Sequence, residues 1–221
     1  TSQTVLEPLA RTFHALAFSI LKSEGRNPIL LSGPEQEGWI RQLVEGVDWP
    51  DELKPALLTR GFVRELRDLI LRATERGWTP EDLEKNGQRY KEDFWIAASK
   101  FWSSYIGTLI LVDADHGEPK ERLDSAQLVW AAANATRNDF KNQFKTILID
   151  EFQESDKAQR ALLANIATED LVIAVDPYST VGRFRGADPD GLDKALDPYI
   201  KEVIHLDQNF RASSSIHLFQ E

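Results

Sequence analysis

The chain has 221 residues, with 26 Lys and Arg against 36 Asp and Glu, a formal charge of −10 and 42% hydrophobic residues. That apolar fraction excludes a wholly disordered chain, and the absence of Cys excludes a disulfide scaffold, a thiolate zinc site and a Cys nucleophile. The acidic balance argues against a broad cationic face for nucleic acid, though not against a narrow grip on phosphates. The longest apolar run, Tyr105 to Val112, is far short of the roughly 20 residues that span a bilayer, so no membrane partner is expected. Lack of Cys fits a reducing, cytoplasmic setting. The chain starts at Thr1, contains no Met and ends inside a helical pattern, Ser213 to Gln220. A piece of a longer protein is the expectation.

Taken in order, the first stretch, residues 1–24, carries one helix: Thr12 can cap it, and Phe13, Leu16, Ala17, Ile20 and Leu21 share a face. Residues 25–142 read as helical throughout. Ser32 and Glu35 have capping-box spacing, Trp39, Ile40, Leu43 and Val44 line a face, and Gly46 can end it. Phe62, Leu66, Leu69, Ile70 and Ala73 line a longer helix that Gly77 can close. Thr79-Pro80 is a cap followed by proline at the first helical position. An aromatic stripe follows, Phe94 to Leu109, then an acidic loop, Asp113 to Pro119, and a further helix from about Ser125. After Lys145 short apolar runs alternate with polar helices: strands at Thr146–Ile149, Leu171–Val175 and Val203–Leu206, with a helix over Ser155–Ala167. Strand–helix–strand at this spacing predicts a parallel sheet and an α/β fold, entered at the start, interrupted by the helical stretch and resumed over residues 143–221.

Three segments suggest chemistry. In "TILIDEFQESDKAQ", Thr146 to Gln159, apolar residues run into two acids at the carboxyl end of a strand, the edge where open parallel sheets bind ligands. Asp150 suits a Mg²⁺ ion, which needs only one or two carboxylates. Glu151 suits the base that deprotonates an attacking water. The plainer alternative is a strand ending in solvated acids. In "LVIAVDPYSTVGRFRGADP", Leu171 to Pro189, Arg183, Phe184 and Arg185 follow a strand and a turn. They suit a phosphate backbone with a stacked base, or form a basic surface turn. In "HLDQNFRASSSI", His205 to Ile216, a turn presents Phe210 and Arg211 before a capped helix.

In this order, preceded by "TFHALAFSIL" at Thr12 to Leu21, these segments resemble UvrD/Rep/PcrA-type superfamily 1 DNA helicases. "TFHALAFSIL" is similar to motif Ib, "IDEFQESDKAQ" to motif II (the Walker B segment), "VDPYSTVGRFRGA" to motif III and "LDQNFRAS" to the start of motif IV. "LLSGPEQ" and "TRGFVRELRDLILRATERG" look closest to actinobacterial members, including the AdnA and AdnB subunits of a helicase–nuclease.

The resemblance implies a RecA-like motor subdomain 1A of the P-loop NTPase type, residues 1–24 and 143–221, interrupted by an all-helical subdomain 1B, residues 25–142. It implies an ATP-dependent 3′–5′ helicase or translocase acting in DNA repair or recombination, with ATP and Mg²⁺ as cofactors. Single-stranded or duplex-junction DNA, a second motor domain of the same chain and a paired helicase–nuclease subunit would be the partners. Asp150 would help bind Mg²⁺, Glu151 would activate water, and Gln153 would couple nucleotide to DNA. Arg211 would reach the γ-phosphate and Phe210 would stack on adenine. Thr12, Phe13 and His14 would lie near single-stranded DNA, and Phe184 and Arg185 would stack on a base and contact the strand.

Two departures stand out. The motif III pattern is roughly GDPDQSIYxFRGA, whereas here Val175, Tyr178, Ser179 and Gly182 replace the Gly, second Asp, Gln and aromatic. A non-catalytic, motor-like DNA-binding subunit of a helicase–nuclease complex is therefore the alternative. No Gly is followed by Lys, so the G-x-x-x-x-G-K-[ST] phosphate cradle is not in this chain. The 221 residues alone are expected to lack ATPase activity. The four His are scattered without metal spacing, and Trp39, Trp95 and Trp102 lie in or beside apolar stripes that suggest core packing. Arg60, Arg64, Arg67 and Arg72 are interleaved with Glu65, Asp68 and Glu75, as on a solvated helix face.

Overall fold

The computed structural model of the chain describes residues 10–114, 120–135, 144–176, 179–185, 187, 194 and 197–206. They fall in two compact units, residues 1–189 and 190–221.

The first unit mixes helices with short parallel sheets. Its helices are α1 (Phe13–Ser23), α2 (Gly33–Leu43), α3 (Arg60–Glu75), α4 (Pro80–Tyr90), α5 (Asp93–Ala114), α6 (Ser125–Ala135) and α7 (Lys157–Ile166). Most begin on a capping side chain that satisfies orphan backbone donors. Thr12 accepts from Ala15, Thr59 from Phe62, and Ser32, Thr79 and Asp156 each form a reciprocal capping box. Gly77 ends the turn after α3 at φ +72°, the left-handed region that favours glycine.

Helices α2 to α5 enclose the larger core. Trp49 sits at its centre, 2% exposed, edge-on to Phe62 at 5.2 Å, with its indole N–H donated to the Val44 carbonyl at 2.6 Å. Phe101, Trp102, Tyr105 and Leu109 are buried beside it, and Trp39 and Trp95 pack partly buried against the same core. The aromatic stripe is therefore packing. Within the arginine face, Arg67 and Arg72 are engaged with acids: Arg67 bonds Glu37 of α2 at 2.6 Å and Asp68 at 2.7 Å, and Arg72 pairs with Glu75.

Four strands form two parallel pairs. β1 (Pro28–Leu30) pairs with β2 (Glu121–Leu123), and β3 (Thr146–Ile149) pairs with β4 (Asp170–Ile173), Thr146 opposite Asp170 and Ile149 opposite Ile173. The stretch read as helical throughout thus contains two strands. Each has three residues, too few to show an alternating pattern. Helix α6, grouped by composition with the helical stretch, packs most extensively on α1 and α7. Asn165 of α7 donates to the Ala133 carbonyl of α6 at 2.6 Å.

Two strand expectations are corrected. β3 and β4 are half exposed rather than buried: Leu148 is 74% exposed and Val172 55%. These two residues share one face of the pair, since side chains alternate along a strand, and that face is open. In the second unit Val203–Leu206 is exposed and forms no strand among the described residues. An exposed run without a ladder partner meets its backbone groups with water, so apolar composition alone does not make it a strand. Phe210, Arg211 and the helix read over Ser213–Gln220 lie outside the described residues.

Candidate functional site

β3 ends at Ile149, and the chain then makes a sharp acid turn. Asp150 is exposed and accepts the Glu151 N–H through Oδ1 at 2.9 Å. Glu151 adopts the left-handed region, φ 54° and ψ 39°, which costs a non-glycine residue about 1–2 kcal/mol. Such strain persists where surrounding bonds over-determine it, and they do here. The Phe152 N–H donates to the Ala174 carbonyl at 3.2 Å, and the Ala174 N–H to the Ile149 carbonyl at 2.8 Å, fixing the backbone on both sides.

Phe152–Glu154 continue as one 3-10 turn, with Phe152 and Gln153 buried. Gln153, at 0% exposure, uses both ends of its carboxamide. Its Nε2 donates to Glu151 Oε2, and its Oε1 accepts the Asp176 N–H at 3.0 Å. One side chain therefore orients the second acid of the turn and holds the segment after β4. Glu154 makes a second link between the same segments, accepting the Val181 N–H through Oε1 at 2.6 Å.

Thr12, Phe13 and His14 begin α1. His14 is half-buried, and burial lowers its pKa while the nearby Asp156 carboxylate partly offsets the shift. Asp156 caps α7, accepting the Gln159 N–H at 2.8 Å, and burial raises its pKa against those hydrogen bonds and His14. Glu75, at the end of α3, is also close enough to feel Asp156. Burial raises it to about 7, against the pull of Arg72. The start of α1, the start of α7 and the end of α3 therefore share one electrostatic neighbourhood.

The structure brings Asp150, Glu151 and Gln153 into one turn and places His14 within electrostatic reach of Asp156, six positions after Asp150. Phe184 and Arg185 lie in a second 3-10 turn, Gly182–Arg185; their side chains, like Phe210 and Arg211, fall outside the described residues. Sequence reasoning missed Glu154 and Asp156. The Asp156–Gln159 capping-box spacing was visible in the sequence, whereas nothing in it announced the bond from Glu154 to a distant loop.

A Mg²⁺ site fits this turn on its donors. Two adjacent carboxylates project at a strand end, and one Asp150 oxygen is used in binding the Glu151 N–H. No group of three or more metal-ligating side chains occurs among the described residues, but Mg²⁺ needs only one or two carboxylates and keeps several waters.

Residues 2–200 match the UvrD/REP helicase N-terminal domain. The chain belongs to this family. DNA helicase II of Escherichia coli is 24% identical over 215 residues, and DNA helicase II of Haemophilus influenzae 23% over 213. The ATP-dependent DNA helicase PcrA of Staphylococcus epidermidis is 23% identical over 220 residues. Each alignment covers 93% of this chain and 28% of the relative. The chain thus spans a little over a quarter of the length of these relatives. The family membership agrees with the helices and parallel pairs described above. No helix among the described residues is long and apolar enough to cross a membrane.

Proposed function

We propose that this chain is part of the first motor domain of an ATP-dependent DNA helicase or translocase. Residues 1–24 and 143–221 would be RecA-like subdomain 1A, and residues 25–142 the helical subdomain 1B. The supporting observation is the acid turn after β3, held to the segment after β4 by Gln153. In this reading ATP and Mg²⁺ bind at the turn, with Asp150 holding the metal. The ion would neutralise phosphate charge. Glu151 accepts a proton from the attacking water, its carboxylate kept in orientation by Gln153. A change at Glu151 reaches the segment after β4 through that same carboxamide, because it cannot satisfy both partners if either moves.

Arg211 and Phe210 would complete the nucleotide site as γ-phosphate sensor and adenine-stacking ring. Thr12, Phe13, His14, Phe184 and Arg185 would face single-stranded DNA. A second motor domain would close the cleft, translocation would run 3′ to 5′, and the work would be DNA repair or recombination in the cytoplasm. Kinship to the AdnA and AdnB type, with a paired helicase–nuclease subunit, is the narrower form of the same reading.

The test is ATP hydrolysis by the intact protein that carries this chain, with and without single-stranded DNA. DNA-stimulated turnover that falls by about 10²-fold or more in Glu151→Gln is the expected result. Turnover indifferent to DNA would refute the reading. DNA binding without turnover would indicate a non-catalytic subunit instead. The 221-residue chain alone is expected to show no turnover.

A further inference from the structure

Gln153 and Glu154 both cross from the turn after β3 to the segment after β4, and the proposed function uses Gln153 alone. Glu154 Oε1 accepts the Val181 N–H at 2.6 Å over a separation of 27 positions. Its Oε2 lies against Gly182, so closely that a Cβ added there would overlap it. Gly182 is buried, and its carbonyl accepts the Ala187 N–H at 3.2 Å, closing the turn that carries Phe184 and Arg185. Gln153 thus holds the beginning of the segment, at Asp176, and Glu154 holds its far end. Between them Ser179 N–H bonds back to the Asp176 carbonyl at 3.2 Å.

The glycine is the informative partner. The sequence comparison marked Gly182 as the loss of an aromatic ring. The structure shows what occupies the space: a carboxylate that reaches over the bare Cα to a backbone donor. Charge-assisted bonds of this kind are short and directional, and the absence of a Cβ is what permits the approach.

We propose that Glu154 is a positioning residue, paired sterically with Gly182, that sets the Gly182–Arg185 turn relative to the Asp150–Glu151 acid turn. The consequence for nucleic acid rests on the proposed function; the latch itself does not. A carboxylate at position 154 and glycine at position 182 are interdependent. Glu154→Asp withdraws the oxygens by one methylene and makes room for a methyl at 182.

The experiment is amide hydrogen exchange across residues 179–185 of the intact protein that carries this chain, with peptides from α5 reporting global folding, alongside fluorescence anisotropy of a labelled oligothymidylate. Exchange at Val181 should be about tenfold faster in Glu154→Ala. Glu154→Gln, which keeps a neutral acceptor at the same length, should stay within about threefold of the parent. Gly182→Ala should resemble Glu154→Ala, and Glu154→Asp combined with Gly182→Ala should recover part of the protection, the non-additivity expected of touching side chains. Oligothymidylate affinity should fall about three- to tenfold in Glu154→Ala and be largely retained in Glu154→Gln. Unchanged exchange in Glu154→Ala, or a double variant no better protected than Gly182→Ala, would overturn the latch. Faster exchange with unchanged affinity would overturn the positioning role. Should Glu154→Ala also lose protection in α5, the Gln and double variants decide by the same criteria. Failure of the parent chain to bind oligothymidylate would count against the proposed function, while the exchange data still judge the latch.

Discussion

Trp130 donates its indole N–H to the Thr74 carbonyl at 2.7 Å, joining α6 to the last turn of α3. The same ring covers Gly77, where an added Cβ would come within 2.9 Å of it. Gly77 also needs its left-handed φ of +72°. Gly77→Ala therefore meets both backbone strain and a ring tethered to the Thr74 carbonyl. A loss of about 2–4 kcal/mol is expected, read as a lower urea midpoint. Trp130→Phe removes the benzo edge that covers Gly77 together with the indole bond, while the Thr74 carbonyl keeps the Gly77 N–H at 2.8 Å; the lost packing should cost about 2–4 kcal/mol.

Glu75 sets a pH dependence. Burial raises its pKa to about 7 from an ordinary 4.5, with Arg72 and Arg76 pulling down and Asp156 pushing up. The folded state therefore binds a proton that the unfolded state releases, and this contribution to stability falls as pH rises from about 4.5 to about 7. Glu75→Gln removes the group. Relative to the parent, it should gain on the order of 2 kcal/mol between pH 4.5 and 8, as measured by urea denaturation at both pH values.

Asp156 and His14 act on each other. His14 is held low by burial, and the Asp156 carboxylate opposes that shift. Asp156→Asn retains an acceptor for the cap of α7 but removes the charge. The His14 pKa should then fall further, visible as a downfield-to-upfield imidazole transition moved to lower pH in an NMR titration. An unchanged midpoint would mean that the carboxylate does not reach the ring.

Gln153 is completely buried and satisfies two partners. Gln153→Ala removes the bonds to the Asp176 N–H and the Glu151 carboxylate and opens a small cavity, so a loss of about 2–4 kcal/mol is expected from thermal denaturation. Gln153→Glu can still accept from Asp176 but can no longer donate to Glu151 when ionised, and two carboxylates then repel. It should also be destabilised, and more so as pH rises above the carboxylate range.

The helices were legible because their punctuation is local. Thr12, Ser32, Thr79 and Gly77 each act within a few residues of where they stand. The acid turn was legible as composition, two acids after an apolar run, though not the left-handed Glu151 that shapes it. What stayed hidden depends on pairing through space. β1 and β2 have three residues each and are strands only because of one another. Val203–Leu206 has strand composition but no strand among the described residues. Leu148 and Val172 look buried by type and are exposed by position. Gly182 read as a deficit until Glu154 was seen above it.

Beside the β1–β2 pair, Arg26 binds Glu121 across 95 positions of sequence. Contacts so remote reward the chain only after a long loop has been closed. Helices α2 to α5 can assemble from near neighbours, and doing so draws the two ends of that loop together. The seam that Arg26 and Glu121 stitch should consequently form late in folding, and substitutions along it should hasten unfolding more than they slow refolding.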